Sequence, residues 1–95
     1  EKIEDEALLK QAQLLESLGE HASAEFNYRK ITEFYGSDIL ADDAYFALAE
    51  LYRTVLEQPE KAKRHYEKII YNYQDSYYFP QARKHFRTLR GDSIN

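Results

Sequence analysis

The feature that most constrains this chain is a near-repeat with a period of 37 to 38 residues. Ala24, Tyr28, Lys30, Ile31 and Tyr35 recur as Ala62, Tyr66, Lys68, Ile69 and Tyr73, each 38 positions later. Ala7, Ala44 and Ala82 mark one point in three successive units. Small residues and aromatics at fixed places in a period of this length indicate stacked helical hairpins, because each hairpin can bury its apolar face only against the next. Three glycines and two prolines leave few interruptions, and nine tyrosines with five phenylalanines supply much of the apolar bulk. The expected fold class is all-α, in one small domain covering residues 1–95.

Punctuation predicts five helices. The first runs from about Ile3 to Leu18, with Ala7, Leu8, Ala12, Leu15 and Leu18 on its inward stripe. Gly19 is read as the left-handed residue that closes it. The second spans about Glu20 to Tyr35, turning Ala24, Tyr28, Ile31 and Tyr35 inward, and stops at Gly36 before a Ser37-Asp38 loop. The third covers about Ala41 to Leu56, with Ala44, Tyr45, Leu48, Ala49, Leu51 and Tyr52 inward. Pro59 opens the fourth, which runs to Tyr73 and buries Ala62, Tyr66, Ile69, Ile70 and Tyr73. Pro80 opens the fifth and Gly91 ends it. Connections of two to seven residues make sequential helices antiparallel. Ala12 with Ala24, and Ala49 with Ala62, mark two close helix approaches.

The pattern Leu48-Ala49-x-x-Tyr52, then Ala62-x-x-x-Tyr66-x-x-Ile69, resembles a tetratricopeptide repeat. The first unit matches it through Ala12, Ala24, Tyr28 and Ile31. Ala12 to Ala24 is twelve residues but Ala49 to Ala62 is thirteen, so the Glu57-Gln58-Pro59 turn carries an insertion. The period also exceeds the usual length of about 34, the extra residues lying in Gly36–Ala41 and Gln74–Phe79. The resemblance implies a right-handed α-solenoid of antiparallel hairpins, about two and a half repeats long. Repeat 1 is placed at about 3–38 and repeat 2 at about 39–76. A capping helix follows at about 79–91, where Ala82, Phe86 and Leu89 dock inward while Arg83, Arg87 and Arg90 stay wet. Linker style resembles the long-linker repeats of bacterial envelope proteins, which implies a periplasmic or outer-membrane-peripheral setting.

Such a family implies a non-catalytic scaffold, without a cofactor, that holds a protein or peptide in a groove lined by the first helix of each hairpin. Carrying the groove positions over gives Leu9, Lys10, Gln13 and Glu16, then Phe46, Ala47, Glu50 and Arg53, then Lys84 and His85. Leu9, Phe46 and Glu50 stand where chaperone-binding relatives hold their carboxylate clamp, so that clamp is absent. Phe46 is expected as an apolar contact, with Lys10, Arg53 and Lys84 for acidic side chains. Tyr71, Tyr77 and Tyr78, in an unusually aromatic linker, have no clear inward place, and Tyr78 joins the candidate contact residues.

Other chemistry is poorly provided for. The chain has no cysteine, and His21, His65 and His85 lie 44 and 20 residues apart, so a metal site is not expected. Glu4-Asp5-Glu6 and Asp42-Asp43 sit at helix starts, where negative charge complements the helix dipole. No glycine-rich phosphate loop exists and no serine has a nucleophile's context. Arg90-Gly91-Asp92 matches an adhesion tripeptide, but reads as the basic last turn and stop of a helix.

The net charge of −4 conceals an asymmetry: residues 1–60 carry fourteen acidic and five basic side chains, residues 61–95 three and eight. This leaves two alternatives to groove binding. The domain could be a spacer or self-association module, its opposed halves directing copy-to-copy contact. Its basic C-terminal helices could instead meet a polyanion, although the acidic half opposes nucleic acid. No stretch approaches the ~20 apolar residues of a membrane span. A start at Glu1 and the lack of methionine predict a piece of a longer protein.

Overall fold

A computed structural model describes residues 2–36 and 40–91, with side chains from residue 4 onward. The Ser37-Asp38 loop and Asp92 of the adhesion-like tripeptide lie outside the described residues. Five helices follow one another: α1 Lys2–Ser17, α2 His21–Phe34, α3 Ala41–Thr54, α4 Pro59–Asn72 and α5 Phe79–Arg90. Each packs on the next, giving a slab of 42 × 28 × 18 Å built from paired antiparallel helices. This is an all-α repeat solenoid.

Local chemistry explains the helix ends. At the end of α1, the Glu20 N–H donates to the Leu15 carbonyl at 2.8 Å and the Gly19 N–H to Glu16 at 3.0 Å. That paired closure needs a left-handed residue, and Gly19 supplies φ 80°. Gly91 closes α5 at φ 91°. The turn after α3 is wider: the Gln58 N–H reaches back to the Tyr52 carbonyl at 2.8 Å. Glu57 takes φ 53° to allow it, and this is the turn that carries the one-residue insertion. Pro59 and Pro80 then fall in the first turns of α4 and α5, where a missing N–H leaves no bond unmade.

Ala12, Ala24, Ala49 and Ala62 are fully buried in one cluster with Tyr28, Tyr52, Tyr66, Ile31 and Ile69. The buried tyrosine hydroxyls are satisfied by carboxylates. Tyr28 donates to Glu16 at 2.7 Å, Tyr52 to Glu25 at 2.6 Å and Tyr66 to Glu50 at 2.5 Å. A buried hydroxyl without such a partner would be strongly destabilising.

Four side chains outside the groove depart from the sequence reading, one being Ile70 on α4, which is half-buried and lines an open hollow rather than the core. On α1 the inward face is Leu8, Ala12 and Leu15, whereas Ala7 and Leu18 point to solvent, Leu18 being 66% exposed. The helix carries two apolar stripes, and only one meets α2. On α5, Arg87 is half-buried rather than fully wet, and lines a hollow with Ile70, Tyr71 and Phe86.

Candidate partner-binding groove

α3 lies at the centre of the slab and sets Phe46, Glu50 and Arg53 at helical spacing on one face. Beside them runs a ladder of rings. Tyr77 meets Tyr78 edge-on at 5.3 Å, and Tyr78 stacks on Phe46 at 4.5 Å with planes 14° apart. Phe46 meets the Tyr66 edge at 5.9 Å, and Tyr66 lies 5.4 Å from the His85 ring. Offset and edge-on contacts of this kind are the favoured aromatic arrangements.

The linker is tied down to hold this ladder. The Tyr78 hydroxyl donates to Asp43 Oδ1 at 2.6 Å. Ser76 Oγ donates to Asp42 Oδ2 at 2.6 Å and accepts the Tyr78 N–H at 3.0 Å. Asp42 and Asp43 therefore do more than face the dipole of α3: they anchor the lengthened connection between repeats. The bond to Asp43, then burial, raises the Tyr78 hydroxyl's pKa above its usual range.

The other end of the ladder is polar. Glu50 accepts from the Tyr66 hydroxyl and from Arg53 at 2.8 Å, and its Oε2 lies 3.6 Å from His85 Nε2. Arg53 Nε donates to the Tyr66 oxygen at 2.9 Å. Burial, then the nearby Arg53 charge, lowers the His85 pKa, with Glu50 opposing. For Tyr66, burial and the bond to Glu50 raise it.

This geometry changes several expectations. Arg53 is paired with Glu50 rather than waiting for an acidic ligand. Phe46 is half-buried beneath Tyr78 rather than openly displayed, and Tyr78 has an inward place after all. Phe46, Glu50, Arg53 and Tyr78 are thus one connected group, linked through Tyr66, with His85 at its edge. Leu9 is partly buried against the core, and Glu16 is held by Tyr28. Lys10 and Gln13 are exposed on α1, and Lys84 is exposed on α5 beside His85. Tyr71 and Tyr77 are 68% and 87% exposed.

Tyr66 and the Asp42–Asp43 pair belong to this candidate site, whereas the sequence reading placed them in the core and at a helix start. One signal was available for Tyr66. Glu16 and Arg53 each stand four residues after the small residue of their unit, and each bonds the repeated tyrosine of its own hairpin.

A family model for the tetratricopeptide repeat matches residues 6–37 and 43–76. The two matches coincide with the hairpins α1–α2 and α3–α4. They stop at the repeat family and do not extend to the envelope subgroup that the linker style resembles. No curated protein and no solved structure matches the chain. Repeats of this kind are in general non-catalytic protein-interaction modules. With two matched units over more than half its length, folded as two packed hairpins, this chain belongs to the tetratricopeptide repeat family.

Proposed function

We propose that this domain is a non-catalytic scaffold that seats a peptide or protein segment along α3, against the Phe46–Tyr78 stack. The observation that carries this reading is the ring ladder, half-buried at Phe46 and Tyr78 and open to solvent at Tyr77. Aromatic rings offer rigid contact area with few rotors to freeze, which is why they dominate binding energies. The hydrogen bonds from Ser76 and Tyr78 to α3 hold the rings in place before any partner arrives. Less ordering then remains to be done on association. Lys84 is exposed on α5 next to His85 and, with Lys10 exposed on α1, favours a segment with acidic side chains, since Arg53 is already paired with Glu50.

A random peptide library displayed against the chain tests this. Selected peptides are expected to weaken about 10-fold or more with Tyr77→Ala, as for a contact worth ~1.4 kcal/mol, and likewise with Lys84→Glu. Both residues are exposed, so the helical circular dichroism should be unchanged. Failure to select any binder, or binders indifferent to both changes, would remove the groove from consideration.

A further inference from the structure

The polar end of the ring ladder is built by side chains from three helices. Arg53 on α3 donates through Nη2 to Glu50 Oε1 at 2.8 Å and through Nε to the Tyr66 oxygen at 2.9 Å. The Tyr66 hydroxyl, from α4, donates to Glu50 Oε2 at 2.5 Å. These bonds close a circuit whose charges cancel, one carboxylate against one guanidinium. His85 comes to it from α5. Its ring lies 5.4 Å from that of Tyr66, and its Nε2 stops 3.6 Å from Glu50 Oε2. That is beyond a hydrogen bond, whose N···O length is about 2.7–3.2 Å.

A neutral imidazole has one N–H, whereas an imidazolium donates from both nitrogens. Protonated, His85 can therefore bond Glu50 through Nε2 after an approach of less than about 1 Å. Its Nδ1–H is then left over, with no partner among the described residues. The cluster gains one positive charge where it had none, and Arg53 has further N–H donors to offer an anion. A ligand can reach them: the Glu50, Arg53 and His85 side chains are 29%, 31% and 26% exposed.

The surroundings hold the proton off His85 while the site is empty. Burial lowers its pKa first, then the Arg53 charge from α3, with Glu50 opposing and Lys84 of its own helix adding to the lowering. The Tyr66 hydroxyl on α4 is already committed to Glu50. The other charges of α4 near α5, Glu60, Lys63, Arg64 and Glu67, line a hollow against Phe86 and Arg90. An acidic side chain set beside Arg53 offsets the charge that opposes the proton.

We propose that His85 couples this groove to pH, so that a segment bringing a carboxylate to Arg53 and His85 binds together with a proton. The consequence for binding rests on the groove reading above; the coupling among the three side chains does not. By linkage, affinity for an acidic segment rises as pH falls through the range in which His85 titrates. The bound segment in turn raises the pH at which His85 takes its proton. A segment without acidic side chains lacks this link.

Proton NMR of the histidine rings, with an octa-aspartate peptide as the probe and sodium chloride of equal ionic strength as the control, tests this. The peptide is expected to move the His85 titration to higher pH, and further than those of His21 and His65. Arg53→Gln should remove most of that displacement. Peptide affinity should be about 3- to 5-fold tighter at pH 5.5 than at pH 7.5, the size of a partly exposed ion pair, and the difference should vanish in His85→Gln. Circular dichroism at both pH values checks the fold of each variant. An unmoved His85, a rise shared equally by all three histidines, or a pH dependence kept by His85→Gln overturns the proposal. Tyr77→Ala separates the two readings. A peptide that raises the His85 titration but ignores this change keeps the proton link and removes the seat on the rings. Peptides that need Tyr77 yet bind alike at both pH values keep the groove and remove the link.

Discussion

At Tyr66 one hydroxyl joins two helices: it donates to Glu50 and accepts from Arg53, while its ring touches Phe46 and His85. Tyr66→Phe keeps the ring but leaves Arg53 and Glu50 each one partner short. A loss of about 1–2 kcal/mol is expected, read as a lower urea midpoint at an unchanged m-value. The same repeat that made Tyr66 legible as core concealed this role, because Glu50 and Arg53 read as groove positions facing a partner rather than as partners of a core hydroxyl. His65 offers a second test. Its ring lies against Tyr52 at 5.1 Å and Tyr45 at 6.1 Å, and its Nδ1 is 2.7 Å from the Lys61 carbonyl. Burial lowers its pKa below the usual 6.5, with the bond to Lys61 opposing and the charges of Arg64, Lys61 and Arg29 adding to the lowering. For His85 the shift has the same sign. The unfolded chain therefore takes up protons first as pH falls through about 6.5, and stability drops with it. The urea midpoint should be lower at pH 5.5 than at pH 7.5, and His65→Gln should flatten that slope.

Between helices, the spacing of alanines is the part of the fold that the sequence displayed best. Ala12, Ala24, Ala49 and Ala62 are fully buried, as their repetition implied. Ala62→Leu forces α3 and α4 apart and should cost about 1–3 kcal/mol. Ala22→Leu, on the exposed side of α2, should leave the thermal midpoint nearly unchanged. Gly19→Ala meets no neighbour within 4 Å, so its penalty is purely that of φ 80°, about 1–2 kcal/mol; calorimetry checks it. Helix ends were readable to within a few residues because Gly19, Pro59, Pro80 and Gly91 punctuate the chain. Which stripe of α1 faces inward was not readable, since Leu8–Ala12–Leu15 and Ala7–Leu14–Leu18 both repeat at helical spacing. Tyr78 escaped for a different reason: a linker has no period, and only the folded chain brings it over Phe46.

Over the whole molecule, each helix leans mainly on its sequence neighbours, so stability should be graded along the chain. Hydrogen exchange is expected to be slowest in α3 and α4 and fastest in α1 and α5, which have a neighbouring helix on one side only among the described residues. Alkali should act on the molecule as a unit. Tyr28, Tyr52, Tyr66 and Tyr78 all donate to carboxylates, and their pKa values are raised well above the ordinary 10.0: burial leads for the first three, and the bond to Asp43 leads for Tyr78. The unfolded chain releases those protons first, so stability is lost as pH rises beyond about 10. The phenolate absorbance of these four rings should then appear together with loss of helical signal. The ring ladder has one more consequence, and it is optical. With nine tyrosines and no tryptophan, the ultraviolet emission of this chain comes from phenol rings. Tyr77, Tyr78 and Tyr66 are linked through ring-to-ring contacts with Phe46 between the last two. Excitation can pass along such a row, so whatever settles on its outer ring alters the brightness of the rest. Under the proposed function, the row of rings is a built-in, label-free gauge of whether a segment is seated along α3.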